Sequence, residues 1–281
     1  MEEKNVSSSA NSACFGQELE PFRCDNGKFG FRNKETNEIV IQCIYDWVYH
    51  FSEGLAAVNI GGDFNEYDSF CGGKWGFIDE AGNIAIPLIY DRTWYFSEGF
   101  AVVIKDDKWG LIDKTGKKVT PFIYDFVETF SEGFAVVNIG CKHYDAWNFG
   151  ADKYGFIDKT GNEVIPLIYD RVWGFSEGLA AVNIGGQYDG INCYFRGGKW
   201  GFIDKTGSVV IPLIYDRVWV WGFSEGLAAV KKDDKWGFID KTDKVIIPLI
   251  YDDARTFKDG KAYVTLNGEE FYINIEGERV E

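Results

Sequence analysis

One sequence phrase recurs at least six times along this chain of 281 residues. Its clearest copy reads Lys-Trp-Gly-Phe-Ile-Asp-Lys-Thr-Gly from Lys199, Val-Ile-Pro-Leu-Ile-Tyr-Asp from Val210, and Phe-Ser-Glu-Gly-Leu-Ala-Ala-Val from Phe223. A degenerate seventh copy lies near Glu270, and the others begin at Lys28, Lys74, Lys108, Lys153, Lys199 and Lys235. Such a period is typical of repeat proteins, in which each copy folds as one unit and packs on its neighbours.

The pattern within each copy predicts β-strands. Gly and Pro interrupt every copy, and the segments between them are short, β-branched and aromatic, which indicates three strands per copy. The Lys-Thr-Gly loop indicates a hairpin that needs a positive φ at the Gly position, where Asn37 and Asp243 stand in two copies. We predict an all-β fold of tandem three-stranded hairpin units in an open twisted array, because both terminal copies are atypical, as caps are. A closed β-propeller-like ring is the alternative.

The chain divides into a flexible N-terminal tail at residues 1–17 and a single array at 18–281, six repeats plus a degenerate C-terminal cap. The tail is rich in Ser, Asn and Glu and has no apolar run. No stretch approaches the roughly 18 apolar residues that span a bilayer, so no membrane insertion is predicted. No secretory signal is visible, which indicates a cytoplasmic protein, with secretion as the alternative.

The net charge argues against one class of partner, and the cysteine pattern argues against disulfides and a zinc site. The formal charge of −15 repels nucleic-acid phosphates, so no nucleic-acid partner is predicted. The six cysteines form no C-x-x-C pair and do not recur at one repeat position. This pattern favours reduced thiols over a disulfide framework or a zinc site.

Residues present in every copy are predicted to be structural. The Tyr-Asp pair should place a buried ring beside an Asp that braces the next turn, and the Ser-Glu-Gly segment should form a turn. In Trp-Gly-Phe-Ile-Asp, the Gly should leave a flat spot where another backbone approaches closely. No nucleophile–base pair repeats, and the two histidines, His50 and His143, occupy unlike positions. We therefore predict no enzyme, cofactor or metal site.

The phrase closely resembles the WG-repeat (KWG-repeat) family of bacterial proteins, over roughly Lys28 to Val264. Departures are Phe29 and Tyr154 in the Trp position, and the loss of Trp-Gly in the last copy. The resemblance implies a β-hairpin repeat of bacterial origin that serves as an interaction module. It brings no catalytic residue.

Binding residues are expected where the copies differ. Three insertions open with Asn-Ile-Gly: Asn59 to Gly73, Asn138 to Asp152 and Asn183 to Gly198. They are either lengthened hairpins whose rings pack on neighbours or a recognition rim. A second variable position, three residues after the Tyr-Asp aspartate, holds aromatics that either fill space or bind a partner. The predicted binding residues are Tyr67, Tyr144, Trp147, Tyr188 and Tyr194 in the insertions, and Trp94, Trp173 and Trp219 at the variable position.

These features predict a non-catalytic protein-interaction scaffold whose protein partner is not identified by the sequence. The alternative is a carbohydrate- or cell-wall-binding module, because exposed Trp and Tyr rings can stack on a glycan.

Overall fold

The computed structural model describes residues 18–67, 69–140, 153–189 and 194–280. Across these residues there is no helix, and the strands form seven antiparallel sheets, each open and none closed into a barrel. The all-β, tandem-hairpin prediction is confirmed. The predicted tail at 1–17 lies outside the described residues.

Backbone contacts divide the chain into two compact units, Met1–Ile89 and Tyr90–Glu281. The first unit contains sheet 1, with β1 (Leu19–Arg23), β2 (Phe29–Asn33) and β3 (Ile39–Tyr45), and most of sheet 2, with β4 (Trp47–Val48), β5 (Leu55–Phe64), β6 (Phe70–Asp79) and β7 (Ile84–Tyr90).

The second unit contains five sheets. Sheet 3 has β8 (Arg92–Thr93), β9 (Phe100–Lys105) and β10 (Lys108–Asp113). Sheet 4 has β11 (Phe126–Val127), β12 (Phe134–Ile139), β13 (Lys153–Asp158) and β14 (Glu163–Tyr169). Sheet 5 has β15 (Arg171–Val172), β16 (Ala180–Asp189), β17 (Tyr194–Ile203) and β18 (Val209–Tyr215). Sheet 6 has β19 (Arg217–Ser224), β20 (Leu227–Lys232), β21 (Lys235–Ile239) and β22 (Val245–Tyr251). Sheet 7 has β23 (Asp253–Ala254), β24 (Ala262–Leu266), β25 (Glu269–Ile273) and β26 (Arg279–Val280).

Most sheets have one strand more than the sequence predicted. The three predicted strands are present, and a short strand precedes them, formed by the residues that follow Tyr-Asp, such as Arg171–Val172. Each sheet with this additional strand therefore joins the end of one sequence copy to the start of the next. In sheet 3 single bridges, Trp109 to Tyr124 and Ile112 to Lys118, replace the last strand.

Consecutive sheets of the second unit bury apolar faces against each other. One cluster combines Trp200, Phe202 and Ile211 of sheet 5 with Phe223 and Ala228 of sheet 6. The Phe202 and Phe223 rings lie 4.9 Å apart, and both side chains are fully buried. Because Ala228 and Ala229 point to opposite faces, one strand contributes to the core on both sides.

The glycine of Trp-Gly is required by close backbone approach, as predicted. A Cβ on Gly201 would lie 2.5 Å from the carbonyl oxygen of Ile211 in the neighbouring strand. The β17–β18 register shifts on both sides of Phe202, so the partner strand bulges toward this glycine.

The Ser-Glu-Gly segment is a two-residue turn that also joins neighbouring sheets. Ser176 and Leu179 form a bridge, and Glu177 and Gly178 between them have φ of 51° and 88°. The Ser176 hydroxyl donates to the carbonyl of Phe223 in the next sheet at 2.7 Å. Neighbouring copies repeat this bond, from Ser131 to Phe175 and from Ser224 to Phe257.

The Tyr-Asp pair has the predicted structural role. Tyr215 is buried, and its hydroxyl donates to Asp243 at 2.6 Å. Asp216 accepts from Lys199 Nζ at 2.5 Å and from the backbone N–H of Asp233, at the next hairpin tip, at 2.9 Å. The bond to Lys199 is the main cause that lowers the pKa of Asp216. The aspartate thus ties two sheets together.

The expectation of reduced thiols is wrong for one pair. Cys24 and Cys43 form a disulfide within sheet 1. No sequence pattern indicated this bond, because the two residues are 19 positions apart and meet only when β1, β2 and β3 assemble. Cys71 is free and exposed. The other three cysteines lie outside the described residues.

Candidate functional site

Two of the three insertions are long, regular hairpins, here called the extensions, at residues 59–73 and 183–198. In the first, the β5–β6 ladder continues from Ile60–Lys74 to Phe64–Phe70. In the second, the β16–β17 ladder continues from Ile184–Lys199 to Asp189–Tyr194. Both insertions are therefore lengthened hairpins, and their role as a recognition rim stays a prediction.

A buried asparagine fixes the stem of each extension. Asn59 is fully buried, donates to the carbonyl of Gly72 at 3.2 Å, and accepts from the N–H of Gly62 at 3.0 Å. A Cβ on Gly73 would lie 2.5 Å from the Asn59 Oδ1 atom, so the stem needs glycine there.

The second extension repeats this arrangement. Asn183 is fully buried, donates to the carbonyl of Gly197 at 3.3 Å, and accepts from the N–H of Gly186 at 3.1 Å. Two copies thus use one rigid stem to carry different tips.

The predicted binding residues of the extensions differ in placement. Tyr67 lies at the tip of the first extension and is 81% exposed. Phe64 and Phe70, in contrast, pack against each other and both contact Trp47 of the same sheet. Tyr188 pairs with Phe195, and Tyr194 pairs with Asp189, in the last rungs of the second extension. Tyr144 and Trp147 lie outside the described residues.

The variable-position aromatics pack on the tryptophan of the Trp-Gly pair in their own sheet. Trp94 stacks on Trp109 with ring centroids 5.0 Å apart, and Trp173 stacks on Trp200 at 6.0 Å. Trp219 meets Trp236 edge-to-face at 6.1 Å. Each ring is half-buried. The space-filling interpretation is therefore correct for these rings, and their role in binding stays a prediction.

Sheet 4 breaks this pattern. Glu128 occupies the variable position and Tyr154 occupies the Trp position, so a carboxyl and a phenol replace the pair of indoles. Beside Glu128 lies a cleft of about 410 Å³, lined by residues of three successive sheets that include Glu128, Thr129, Trp173 and Val220.

The cleft combines a perturbed carboxyl group with a buried donor. Glu128 lies in a concave wall with its side chain partly open to solvent. The surrounding protein reduces the solvation of its carboxylate and so raises the pKa of Glu128, while the charge of Arg171 opposes this shift. The Nε1 atom of Trp173 is buried and has no hydrogen-bond partner in the part of the chain that the structure describes. The Arg171 guanidinium lies 4.8 Å from the centroid of the Trp173 ring. Glu128 and Trp173 both line the cleft, so a ligand there would contact the carboxyl group and the indole ring.

Sequence reasoning identified Glu128 as a residue at the variable position, but it did not show that this side chain lines a cleft. The available signal was paired: the acidic residue at the variable position occurs in the same sheet as the tyrosine at the Trp position. Which side chains face a cleft could not be read from the repeat pattern alone.

The described residues contain no group of three or more His, Cys, Asp or Glu side chains placed to hold a metal ion. Nor does any helix in that part of the chain have the length and apolar character needed to cross a membrane.

Comparison with known sequences identifies the repeat. The family model for the WG containing repeat matches six segments, at residues 29–62, 75–109, 109–142, 154–188, 200–236 and 236–269. The chain belongs to the WG-repeat family. This membership identifies a repeat module and not a partner. No curated protein matches the chain.

Solved structures give only distant similarities. A eukaryotic initiation factor is 11% identical with a TM-score of 0.39, over 99% of this chain and 88% of that one. An acylaminoacyl peptidase of Pyrococcus horikoshii is 16% identical with a TM-score of 0.41, over 84% of this chain and 46% of the peptidase. At these scores the similarities carry no argument about function.

Proposed function

We propose that this WG-repeat protein is a non-catalytic scaffold that binds another protein through its hairpin extensions. The shared residues of the repeat already have structural tasks: the Ser-Glu-Gly turn and the Tyr-Asp pair join consecutive sheets. Residues committed in this way cannot also specify a partner without loss of the fold. Recognition is therefore assigned to residues that differ between copies.

The observation that carries the proposal is the asparagine-fixed stem of the extensions. Asn59 and Asn183 make the same two backbone contacts. A stem of this kind presents its tip in a fixed direction, which lowers the entropy lost on binding. The tips differ in sequence, and Tyr67 at the first tip is exposed. Tyrosine is among the residues most enriched in protein interfaces.

Shortening the extensions tests the proposal. Residues 59–74 and 183–199 are each replaced by Ile-Lys-Asp-Asp-Lys, the sequence of residues 104–108 at the turn that joins β9 to β10, so that no buried asparagine loses its partners. The protein and its shortened forms are compared as bait in lysate of the source organism, with quantitative mass spectrometry. We expect the amount of specifically captured protein to fall at least about ten-fold in the double variant. Its circular dichroism spectrum and melting curve should persist.

Single-extension variants show which tip acts, and Tyr67→Ser tests the first tip without any change in length. An unchanged set of captured proteins in the folded double variant would exclude the extensions as the binding surface.

The cleft beside Glu128 favours a second candidate, carbohydrate binding. It offers a carboxyl group that can accept hydrogen bonds and an indole ring in its wall, which suits a polyol. Because Trp173 already stacks on Trp200, the sugar would be held by hydrogen bonds more than by ring stacking. A glycan array that includes cell-wall fragments should give binding that both Glu128→Gln and Trp173→Phe reduce. A blank array would remove this candidate.

A further inference from the structure

The last sheet carries a polar face where sheet 6 carries an apolar one. In sheet 6, Leu227, Ala229 and Phe238 are buried in the cluster that packs against sheet 7. Register alignment places Lys261, Tyr263 and Tyr272 at the equivalent positions of sheet 7. Tyr272 is 46% exposed, whereas Phe238 is fully buried.

Two further replacements add positive charge near this face. Arg255 stands at the variable position, where Trp219 stands in the preceding copy. Lys258 replaces the serine of Phe-Ser-Glu-Gly, which all five preceding copies retain. These residues line a pocket of about 830 Å³, here called the basic pocket: Arg255, Thr256, Lys258, Asp259, Lys261, Tyr263 and Tyr272.

Two of the three cations in the basic pocket lie directly opposite each other. Lys258 and Lys261 are paired across a two-residue turn, with backbone bonds of 2.8 and 3.2 Å. Like charges at directly opposed positions repel each other and destabilise a hairpin. Acidic residues outnumber basic residues in this chain by 44 to 29, so a cluster of basic residues on one polar face departs from the average composition. Asp259, in the turn between the two lysines, also lines the pocket, so the lining carries three cations and one carboxyl group.

Aromatic contacts orient the third cation. The Arg255 guanidinium carbon lies 5.4 Å from the centroid of the Tyr263 ring, and the Tyr263 and Tyr272 rings lie 5.2 Å apart. The Tyr263 hydroxyl donates to Glu270 at 2.5 Å, which fixes the ring under the guanidinium.

We propose that the basic pocket binds a small phosphate-bearing molecule. The Arg255 guanidinium fork and the Lys258 ammonium group match the oxygens of a phosphate group, and the Thr256 hydroxyl can add a hydrogen bond. The pocket has room for more than inorganic phosphate. The net charge of −15 opposes the approach of a long anionic polymer, so the ligand is small.

Calorimetric titration of the full chain with tripolyphosphate, at low ionic strength, tests the proposal. We expect saturable binding that weakens as salt is added, because salt screens exposed charges. Arg255→Gln and Lys258→Ser should each weaken binding about ten-fold. Serine is the residue that the preceding copies carry at that position, so folding should be retained, and circular dichroism checks it.

The matched control removes charge elsewhere. Lys117→Ser combined with Lys232→Ser deletes two exposed cations of other sheets and should change the affinity by less than about two-fold. No saturable binding, or equal weakening in the control, would overturn the proposal. Equal affinity for citrate would mean that the pocket does not select phosphate. Binding of an oligoglutamate peptide in the absence of tripolyphosphate binding would likewise reject a small phosphate ligand.

Discussion

Replacing Glu177 by Asn tests how neighbouring copies are joined. Glu177 is the first residue of a two-residue turn with φ of 51°, a conformation that Asn tolerates better than Glu. Its carboxylate accepts from the N–H of Gly226 at 3.1 Å and pairs with Lys241 Nζ at 3.0 Å, both in the next sheet. The shorter Asn side chain keeps the turn but loses these connections.

The expected loss follows from three contributions. A hydrogen bond to a charged group contributes about 1.5–3 kcal/mol. The ion pair is partly exposed, with 31% of the Glu177 side chain accessible, and contributes about 0.2–1 kcal/mol. Relief of the left-handed conformation returns about 1 kcal/mol. Glu177→Asn should therefore destabilise the protein by about 1–3 kcal/mol.

Urea denaturation followed by circular dichroism measures the change. Asp106→Asn is the matched control, because Asp106 is also the first residue of a two-residue turn and has the same φ of 51°. It loses one negative charge but joins no second sheet through its side chain, so its effect should stay within about 0.5 kcal/mol. Equal losses in the two variants, or a gain in Glu177→Asn, would refute the connecting role of the glutamate.

Four further changes test other parts of the fold. Gly201→Ala should cost about 1–3 kcal/mol in urea melts, because its Cβ would meet the neighbouring backbone at 2.5 Å; a neutral result would contradict the close approach. Trp200→Ala should cost about 3–5 kcal/mol, since the ring is buried, and a loss below 1 kcal/mol would place it outside the core. Cys24→Ser should cost about 2–4 kcal/mol and abolish any effect of reductant on the melt; a reductant effect that persisted would point to another bond. A hydrogen bond from the Thr206 hydroxyl in the same loop is the main cause that lowers the pKa of Asp204. The ionised Asp204 therefore stabilises the fold fully above the unfolded pKa of about 3.9, and this stabilisation is lost as the pH falls further. Asp204→Asn should make the loss of stability in acid less steep, and an unchanged pH profile would refute the contribution.

Much of the fold could be predicted because its determinants are local. The loop position that holds Gly in most copies has positive φ also where Asn37 and Asp243 stand, at 59° and 68°. Residue type alone therefore identified the turn geometry. The same holds for the glycine of Trp-Gly, whose missing side chain indicated a close neighbour before the neighbour was known.

Features that depend on long-range assembly could not be predicted. The two-residue strands that open five of the seven sheets, such as Arg171–Val172, are too short to show a period-two pattern and pair only because the next copy lies beside them. The Cys24–Cys43 disulfide has no repeated spacing for the same reason. Both require the register of strands that are distant in sequence.

The candidate sites were only partly visible in the sequence. The variable position was recognised, yet the pattern could not show that Trp94 and Trp173 turn their rings onto Trp109 and Trp200. Aromatic residues suit a core and a binding surface equally well, so residue type does not separate the two roles. Glu128 was more informative, because a carboxyl among indoles has no packing explanation.

The division of tasks within the repeat follows from its geometry. A residue that bonds the next copy, as Ser176 and Glu177 do, is constrained from both sides, and its replacement weakens the connection between two sheets. Positions whose side chains make no bond to the next copy escape this constraint. Lys258 shows the effect, because the serine bond is lost in the copy where a cation appears. New binding chemistry in such an array is therefore expected at hairpin tips and at cleft walls, where a substitution leaves the connections between copies intact.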